Sequence, residues 1–576
     1  MSRTTYNPVS PWRSHLMATI ITLLFALLVW RVLSLQVLES DRGYAFLQDQ
    51  GAARYVRSAE IPAYRGIVSD RRGEPLAVST PVISLWANPR QLAASDRVDE
   101  LESALGLAPG VLVTRLENYA NREFMYLQRH MTPPEARSVL RRKIPGVGGH
   151  REYQRYYPAG EVAAHVVGMT DVDDRGIEGM ELAFEDWLKG TPGRKQVIKD
   201  LHGEVVRDIG ELRAAEPGRD LQLSIDLRLQ YLAHRELQRA VATSGARAGT
   251  VVSLDSRTGE VLALVNYPSY NPNGRGSLET GSTRNRALTD VFEPGSTMKP
   301  LTLVAALESG LYTPDTVIDT SPGRVQVGSK VLLDPVNYGE LSVARVVAKS
   351  SQVGIVKMAL SLDEQAVWQA FTRFGLGENP GTGFPGESAG VLPFRDRWRD
   401  IERVTLAYGY GLAVTPLQLA RAYGVLANEG RLLTPSLLKL DDESAVDARQ
   451  MVEPRIAQQV LEVLHGVTSE DGTARSARVE GYGVAGKTGT AHKVDSGGYA
   501  DDRYLAFFAG IAPVREPRLV TVVLIDEPKG DRYYGGEVAA PVFSRITEGA
   551  LRMLNVVPNR PDRDLASREQ AAGGEA

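Results

Sequence analysis

Residues 292–300 read FEPGSTMKP. A Pro-Gly turn delivers Ser296, and Lys299 follows three positions later with no histidine nearby. Two readings compete. Serine after a turn is an ordinary helix start, because its oxygen accepts a hydrogen bond from an orphan backbone N–H. Alternatively Ser296 is a nucleophile and Lys299 its base, since residues three apart on a helix share a face. A Ser-x-x-Lys pair arises by chance roughly two or three times in a chain of this length, so the pair alone decides nothing.

The run after Ser296, TMKPLTLVAALESG, is apolar at 301, 303, 304 and 307. That spacing predicts a buried helix beginning at Ser296 and ending near Gly310. Pro300 falls in its first turn, where a missing N–H costs little. Two further short motifs follow in order: Lys349-Ser350-Ser351-Gln352 at a boundary between helical runs, and Lys487-Thr488-Gly489-Thr490 on or beside a strand. A buried Lys299 near a second cation, Lys487, is expected to have a lowered pKa, and a neutral amine can take the Ser296 proton. Ser350 suits relay of a proton to a leaving amine, and Lys487 with its neighbouring threonines suits a substrate carboxylate. The N–H groups of Ser296 and Thr490 suit an oxyanion. Taken together, the three motifs point to acyl transfer without histidine.

Composition narrows the class. At 576 residues the chain holds two to four domains by length, and its 43% hydrophobic and 24% charged content is that of a globular protein. A net charge of −4 argues against a nucleic-acid partner. With no cysteine there are no disulfides and no thiol chemistry, and the eight histidines lack metal-ligand spacing. No metal chemistry is expected. Leu16–Trp30 is uncharged and apolar, and Val32–Leu38 extends it beyond Arg31. This length crosses a bilayer, and no small-x-small cleavage site follows. Arg3, Arg13 and His15 precede the span, which predicts a cytoplasmic N-terminus and an exported remainder.

The exported part changes texture along its length. Up to about residue 220 it is mixed and charged, with strand-like pieces at 65–70 and 75–80, a helical run near 88–142, and no residue set that carries chemistry. From 221 a strand pattern gives way to a helix, then TVVSLD and VLALVN around SRTGE predict a hairpin. Helices are expected around 342–375 and 402–430, and strands at 504–513 and 518–528. Strands at both ends of a region with helices between them predict one sheet assembled from distant segments. The polar end after 556 reads as disordered.

These motifs, with RGIVSDRRGEPLA (65–77), YYPAGEVAAHVVG (156–168), GIEGMELAFEDWLKGTPG (176–193), YGYGLAVTPLQLARAYGVLAN (408–428) and DRYYGGEVAAPVF (531–543), resemble the class B penicillin-binding proteins, closest to their septal, cell-division branch. The resemblance runs from the anchor to about residue 555. It implies an α+β fold: a penicillin-binding/β-lactamase-like transpeptidase domain, mainly antiparallel sheet flanked by helices, on an elongated N-terminal pedestal with one transmembrane helix. The implied division is a cytoplasmic tail (1–14), an anchor (15–38), a non-catalytic pedestal (39–222), a transpeptidase domain (223–555) and a disordered tail (556–576).

The implied activity is a serine D,D-transpeptidase acting on stem peptides ending in D-Ala-D-Ala, with Ser296, Lys299, Ser350, Gln352 and Lys487 catalytic and Thr488, Gly489, Thr490, Tyr533 and Tyr534 binding substrate. For Tyr533 and Tyr534 a core or turn role is an equal alternative. β-Lactams would acylate Ser296, and no cofactor or metal is required. The implied partners are a polytopic glycan polymerase and other division proteins, at the cytoplasmic (inner) membrane with the catalytic domain outside. One position departs from the family pattern Ser-x-Asn, because its third residue here is Gln352. The Asn amide is expected to bridge the lysine and the substrate amide carbonyl, and Gln carries the same groups on an arm one methylene longer. Either activity falls or neighbouring backbone compensates. Two rivals share the motifs: a weakened paralogue serving as scaffold or β-lactam sink, and a β-lactamase, for which no dedicated deacylating Glu is evident.

Overall fold

The computed structural model describes residues 11–36, 56–199, 205–274, 281–441, 446–495 and 498–558. Residues 1–10 of the expected cytoplasmic tail and 559–576 of the expected disordered tail lie outside these. Helix Pro11–Gln36 contains a 24-residue stretch, Pro11–Ser34, long and apolar enough to cross a bilayer. Its large apolar side chains, Leu23, Phe25, Leu27 and Trp30 among them, are exposed, as a lipid-facing helix requires.

Packing divides the chain into two compact units, each built from several segments. One comprises 1–64, 81–153 and 190–217. Its core joins Leu85, Leu92, Leu101, Leu112, Met125, Leu127 and Val139. The expected helical run near 88–142 is broken here: short helices Val98–Leu105, Val111–Asn118 and Pro133–Leu140 are interrupted by strand Met125–Met131. That strand pairs antiparallel with Ile83–Ala87. Sequence MYLQRHM alternates buried and more exposed positions at its start, a period of two inside an otherwise helical texture. A separate three-stranded antiparallel sheet joins Val56–Ile61, Gly193–Lys199 and Val205–Arg213.

The second unit comprises 65–80, 154–189 and 218–576. Buried polar links tie the first two segments to each other. Arg65 is held by Glu181 at 2.8 Å and Glu185 at 2.6 Å, and Arg155 by the other oxygen of Glu181 at 2.6 Å. Asp70 accepts the N–H of Leu227 at 3.1 Å, where it meets the start of helix α1 (Leu227–Ser244). At the centre is a five-stranded antiparallel sheet formed by β1 (Ala248–Asp255), β2 (Val261–Tyr267), β3 (Ala485–Asp495), β4 (Gly498–Ala512) and β5 (Leu519–Asp526), in the order β2-β1-β5-β4-β3. The expected hairpin is β1–β2, and the late strands complete the sheet beside it.

All eight residues of β1 and of β5 are buried, so the middle of the sheet is covered on both faces. Helices α1 and α7 (Ala540–Met553) pack together on one side. On the other lie α2 (Lys299–Glu308), α5 (Pro416–Ala427) and α6 (Pro454–Gly466). Among the described residues strand β3 pairs on one side only, with β4, and its other edge is where the candidate site forms.

Candidate active site

Ser296 lies in a 3₁₀ turn, Gly295–Met298, and the α-helix proper starts at Lys299, three residues later than expected. The turn is pinned from several sides. Gly295 donates its N–H to Gly409 O at 2.9 Å, and a Cβ on Gly409 would lie 1.9 Å from Gly295 O, so only glycine fits there. Thr297 Oγ1 donates to Pro294 O at 2.7 Å, and Tyr423 Oη donates to Thr297 O at 2.9 Å. Lys299 to Leu307 are buried without interruption, which fixes α2 in the core.

Ser350 sits between helices α3 (Val343–Ala348) and α4 (Gln352–Ser361). Its backbone is left-handed, φ +59°, unusual for serine and costing on the order of 1–3 kcal/mol. The neighbouring helix end supports it. Ser351 caps α4 by accepting Gly354 N–H at 3.0 Å, while Asp334 accepts from Ser351 Oγ (2.5 Å), Gln352 N (2.5 Å) and Val353 N (3.1 Å). A carboxylate at a helix N-terminus satisfies orphan donors and the helix dipole together. Asp334 was not singled out from sequence. Its only local signal is an Asp-Pro pair in LLDPVNYGE, and its partners are 17 to 19 residues away.

Strand β3 carries Lys487, Thr488, Gly489 and Thr490, opposite Ala509, Phe508, Phe507 and Ala506 of β4. Gly489 is obligatory by space: a Cβ there would lie 1.8 Å from the Phe507 ring. Thr490 Oγ1 accepts the N–H of Gly535 at 3.0 Å, which draws the Tyr533-Tyr534-Gly535-Gly536 segment to the strand edge. Tyr504, Tyr533 and Tyr534 then stack, with centroids 4.1 Å and 4.5 Å apart.

The three motifs converge. Lys299 Nζ donates to Ser350 O at 2.6 Å and to Ser350 Oγ at 3.1 Å. Lys487 Nζ donates to the same Oγ at 3.1 Å, and also approaches Thr488 O at 3.2 Å. Both lysines are buried, at 2% and 0% exposure. Burial pushes the Lys299 ammonium down to about 7, against the Asp334 charge, which holds it up. Burial, then the charge of Lys299, pushes Lys487 well below the ordinary lysine range. Ser296, Lys299, Ser350, Gln352, Thr488, Thr490 and Tyr534 line one cleft of about 1320 Å³. Lys487 reaches it through Ser350, Gly489 lies in the strand beneath, and Tyr533 backs Tyr534.

Two expected contacts are not made. Among the described residues the Ser296 hydroxyl has no hydrogen-bond partner, because the Lys299 amine is turned to Ser350. The Gln352 side-chain amide likewise has none, so it does not bridge to Lys299. What Gln352 contributes to the local structure is its backbone N–H. Chemically, the cleft presents a free hydroxyl, an amine that loses its proton near neutrality, and a second hydroxyl hydrogen-bonded to both amines. The cleft also contains residues that sequence reasoning passed over, Thr473, Ser476 and Arg532 among them. Thr473 Oγ1 lies 3.3 Å from Thr488 Oγ1.

Residues 249–548 match the penicillin binding protein transpeptidase domain family, and residues 60–223 the penicillin-binding protein dimerisation domain family. The chain is 41% identical to the peptidoglycan D,D-transpeptidase FtsI of Escherichia coli K12, over 95% of this chain and 93% of that one. It is 40% identical to the probable peptidoglycan D,D-transpeptidase PbpC of Pseudomonas aeruginosa, over 95% and 96%. Among solved structures, penicillin-binding protein 3 of Mycobacterium tuberculosis in complex with aztreonam is similar with a TM-score of 0.67 at 29% identity, covering 87% of this chain and 99% of that one. The transpeptidase domain of penicillin-binding protein 3 from Burkholderia pseudomallei is similar with a TM-score of 0.55 at 42% identity, covering 59% and 98%.

Proposed function

Since the chain belongs to the class B penicillin-binding proteins and is a peptidoglycan D,D-transpeptidase, we propose that it cross-links stem peptides through an acyl-enzyme on Ser296, in septal wall synthesis at the cytoplasmic membrane. The observation that carries the residue assignment is the Lys299–Ser350–Lys487 hydrogen-bond set in the cleft that Ser296 lines. Ser296 Oγ attacks the penultimate D-Ala carbonyl carbon, and its proton passes to neutral Lys299. Collapse of the tetrahedral adduct breaks the peptide C–N bond. The leaving D-Ala nitrogen takes a proton from Lys299 by way of the Ser350 hydroxyl. A second stem's amine then attacks the ester and gives up its proton along the same route, restoring the Ser296 hydroxyl.

Lys487, Thr488 and Thr490 receive the terminal carboxylate, with Gly489 allowing the strand to lie flat against Phe507. Tyr533 and Tyr534 wall the groove. β-Lactams enter by the same attack, and the ring-opened ester stays. A glycan polymerase and other division proteins are the expected partners.

Intact-mass spectrometry after exposure to benzylpenicillin and prolonged incubation tests this reading. A persistent single adduct, absent from Ser296→Ala, is expected. Rapid turnover of the drug would mean a β-lactamase, and no adduct a scaffold.

A further inference from the structure

Glu293 lies three residues before Ser296 and has no part in the chemistry above, yet it joins two segments to the nucleophile's turn. One carboxylate oxygen accepts the N–H of Gly411 at 2.9 Å, and the other accepts the hydroxyl of Tyr499 at 2.9 Å. Gly411 follows the same Gly409 whose carbonyl holds Gly295 N–H. Tyr499 stands at the start of β4, paired with Val494 of β3, the strand that carries Lys487 and Thr490. Tyr499 is 55% exposed, its ring meets Tyr410 edge-on at 6.1 Å, and Tyr410 in turn packs beside Gly295. The carboxylate therefore receives one donor from the 408–411 loop and one from the β3–β4 pair, while its own backbone leads into the turn.

We propose that Glu293 is a positioning residue: its two charge-assisted hydrogen bonds tie the Ser296 turn to the 408–411 loop and to the β3–β4 pair, so that the hydroxyl and the strand edge keep their register during acylation. Such bonds are directional, and a displacement near 1 Å between reacting groups costs on the order of 100-fold in rate. The Tyr499 hydroxyl is the part of this clamp that comes from the sheet, and its side chain is exposed, so core packing does not require it. The inference rests on Ser296 being the nucleophile.

The test uses the full chain in detergent with benzylpenicillin, rapid quenching and intact-mass detection, separating the dissociation constant of the first complex from the first-order acylation constant. Tyr499→Phe, which keeps the ring, is expected to slow acylation about threefold to tenfold, and Glu293→Ala about tenfold to 100-fold. Glu293→Gln, which keeps an acceptor for Gly411 and a polar atom for Tyr499, should recover most of that loss. The first-complex constant should stay within about twofold in all three. An unchanged acylation constant in Glu293→Ala, a loss confined to the first complex, or failure of Glu293→Gln to recover it would overturn the proposal. Ser296→Ala is measured alongside. An adduct retained there removes the nucleophile assignment and this inference with it, whereas no adduct there and a wild-type Glu293→Ala removes this inference alone.

Discussion

The Lys299 amine donates to the carbonyl oxygen of Ser350 over 2.6 Å. The carbonyl points that way because Ser350 adopts φ +59° between two helix ends. One backbone strain thus sets both the direction of the amine and the place of the Ser350 hydroxyl. Four predictions follow from how that arrangement is held.

The first concerns pH. Burial disfavours the ammonium form, so the Lys299 pKa lies near 7, below the lysine value, and the neutral base gains population as pH rises through it. Acylation by benzylpenicillin should climb across roughly pH 6 to 8 and level off above, running about tenfold slower one unit below the midpoint. A Lys299→Arg variant stays protonated and should lose about 100-fold or more at every pH. A flat profile in the wild type would remove Lys299 as the base.

Asp334 should act through charge as well as capping. Asp334→Asn keeps an acceptor but removes the charge that raises the Lys299 pKa, so the midpoint of the acylation profile should move to lower pH. Asp334→Ala also leaves Gln352 N–H, Val353 N–H and Ser351 Oγ without their acceptor, which should cost about 1–3 kcal/mol in chemical denaturation. A midpoint unmoved in Asp334→Asn would separate Asp334 from Lys299.

Gln352 should touch the drug, not the base. Gln352 lines the cleft and its amide has no partner among the described residues, so Gln352→Ala should slow acylation about tenfold, equivalent to about 1.4 kcal/mol, with the midpoint near 7 unchanged. Gln352→Asn should differ from wild type in rate alone. Movement of the midpoint in either variant would restore the bridging role expected from sequence.

Gly489 should resist any side chain. An alanine Cβ would overlap Phe507 across the β3–β4 pair, so Gly489→Ala should reduce both the denaturation midpoint and acylation. Gly489→Ala with Phe507→Leu should recover part of the acylation that the single variant loses. Recovery of stability without acylation would mean that Gly489 serves the substrate directly.

The candidate site was legible in sequence to the extent that Ser296, Lys299, Ser350 and Lys487 each sit in a short motif whose spacing reflects one local element, and the fold brings those motifs together. The α2 helix, the β1–β2 hairpin and the late strands were legible for the same reason: hydrophobic period is a local property. The apolar segment at 16–38 needed only its length and composition. Four other features needed the folded chain. Strand Met125–Met131 has a short alternation that its helical surroundings obscure, and its pairing with Ile83–Ala87 decides it. Segments 65–80 and 154–189 are tied to each other by Arg65 and Glu181, 116 residues apart, and the first is tied to α1 by Asp70. Asp334 and Glu293 look like any loop carboxylates until the donors they accept are brought to them from other segments. The partner of Lys299 was also decided in three dimensions, because the left-handed Ser350 presents its carbonyl and hydroxyl where Ser296 and Gln352 were expected to stand. Local periodicity specifies an element and its face, while hydrogen-bond partners far apart in sequence are set by how the elements pack.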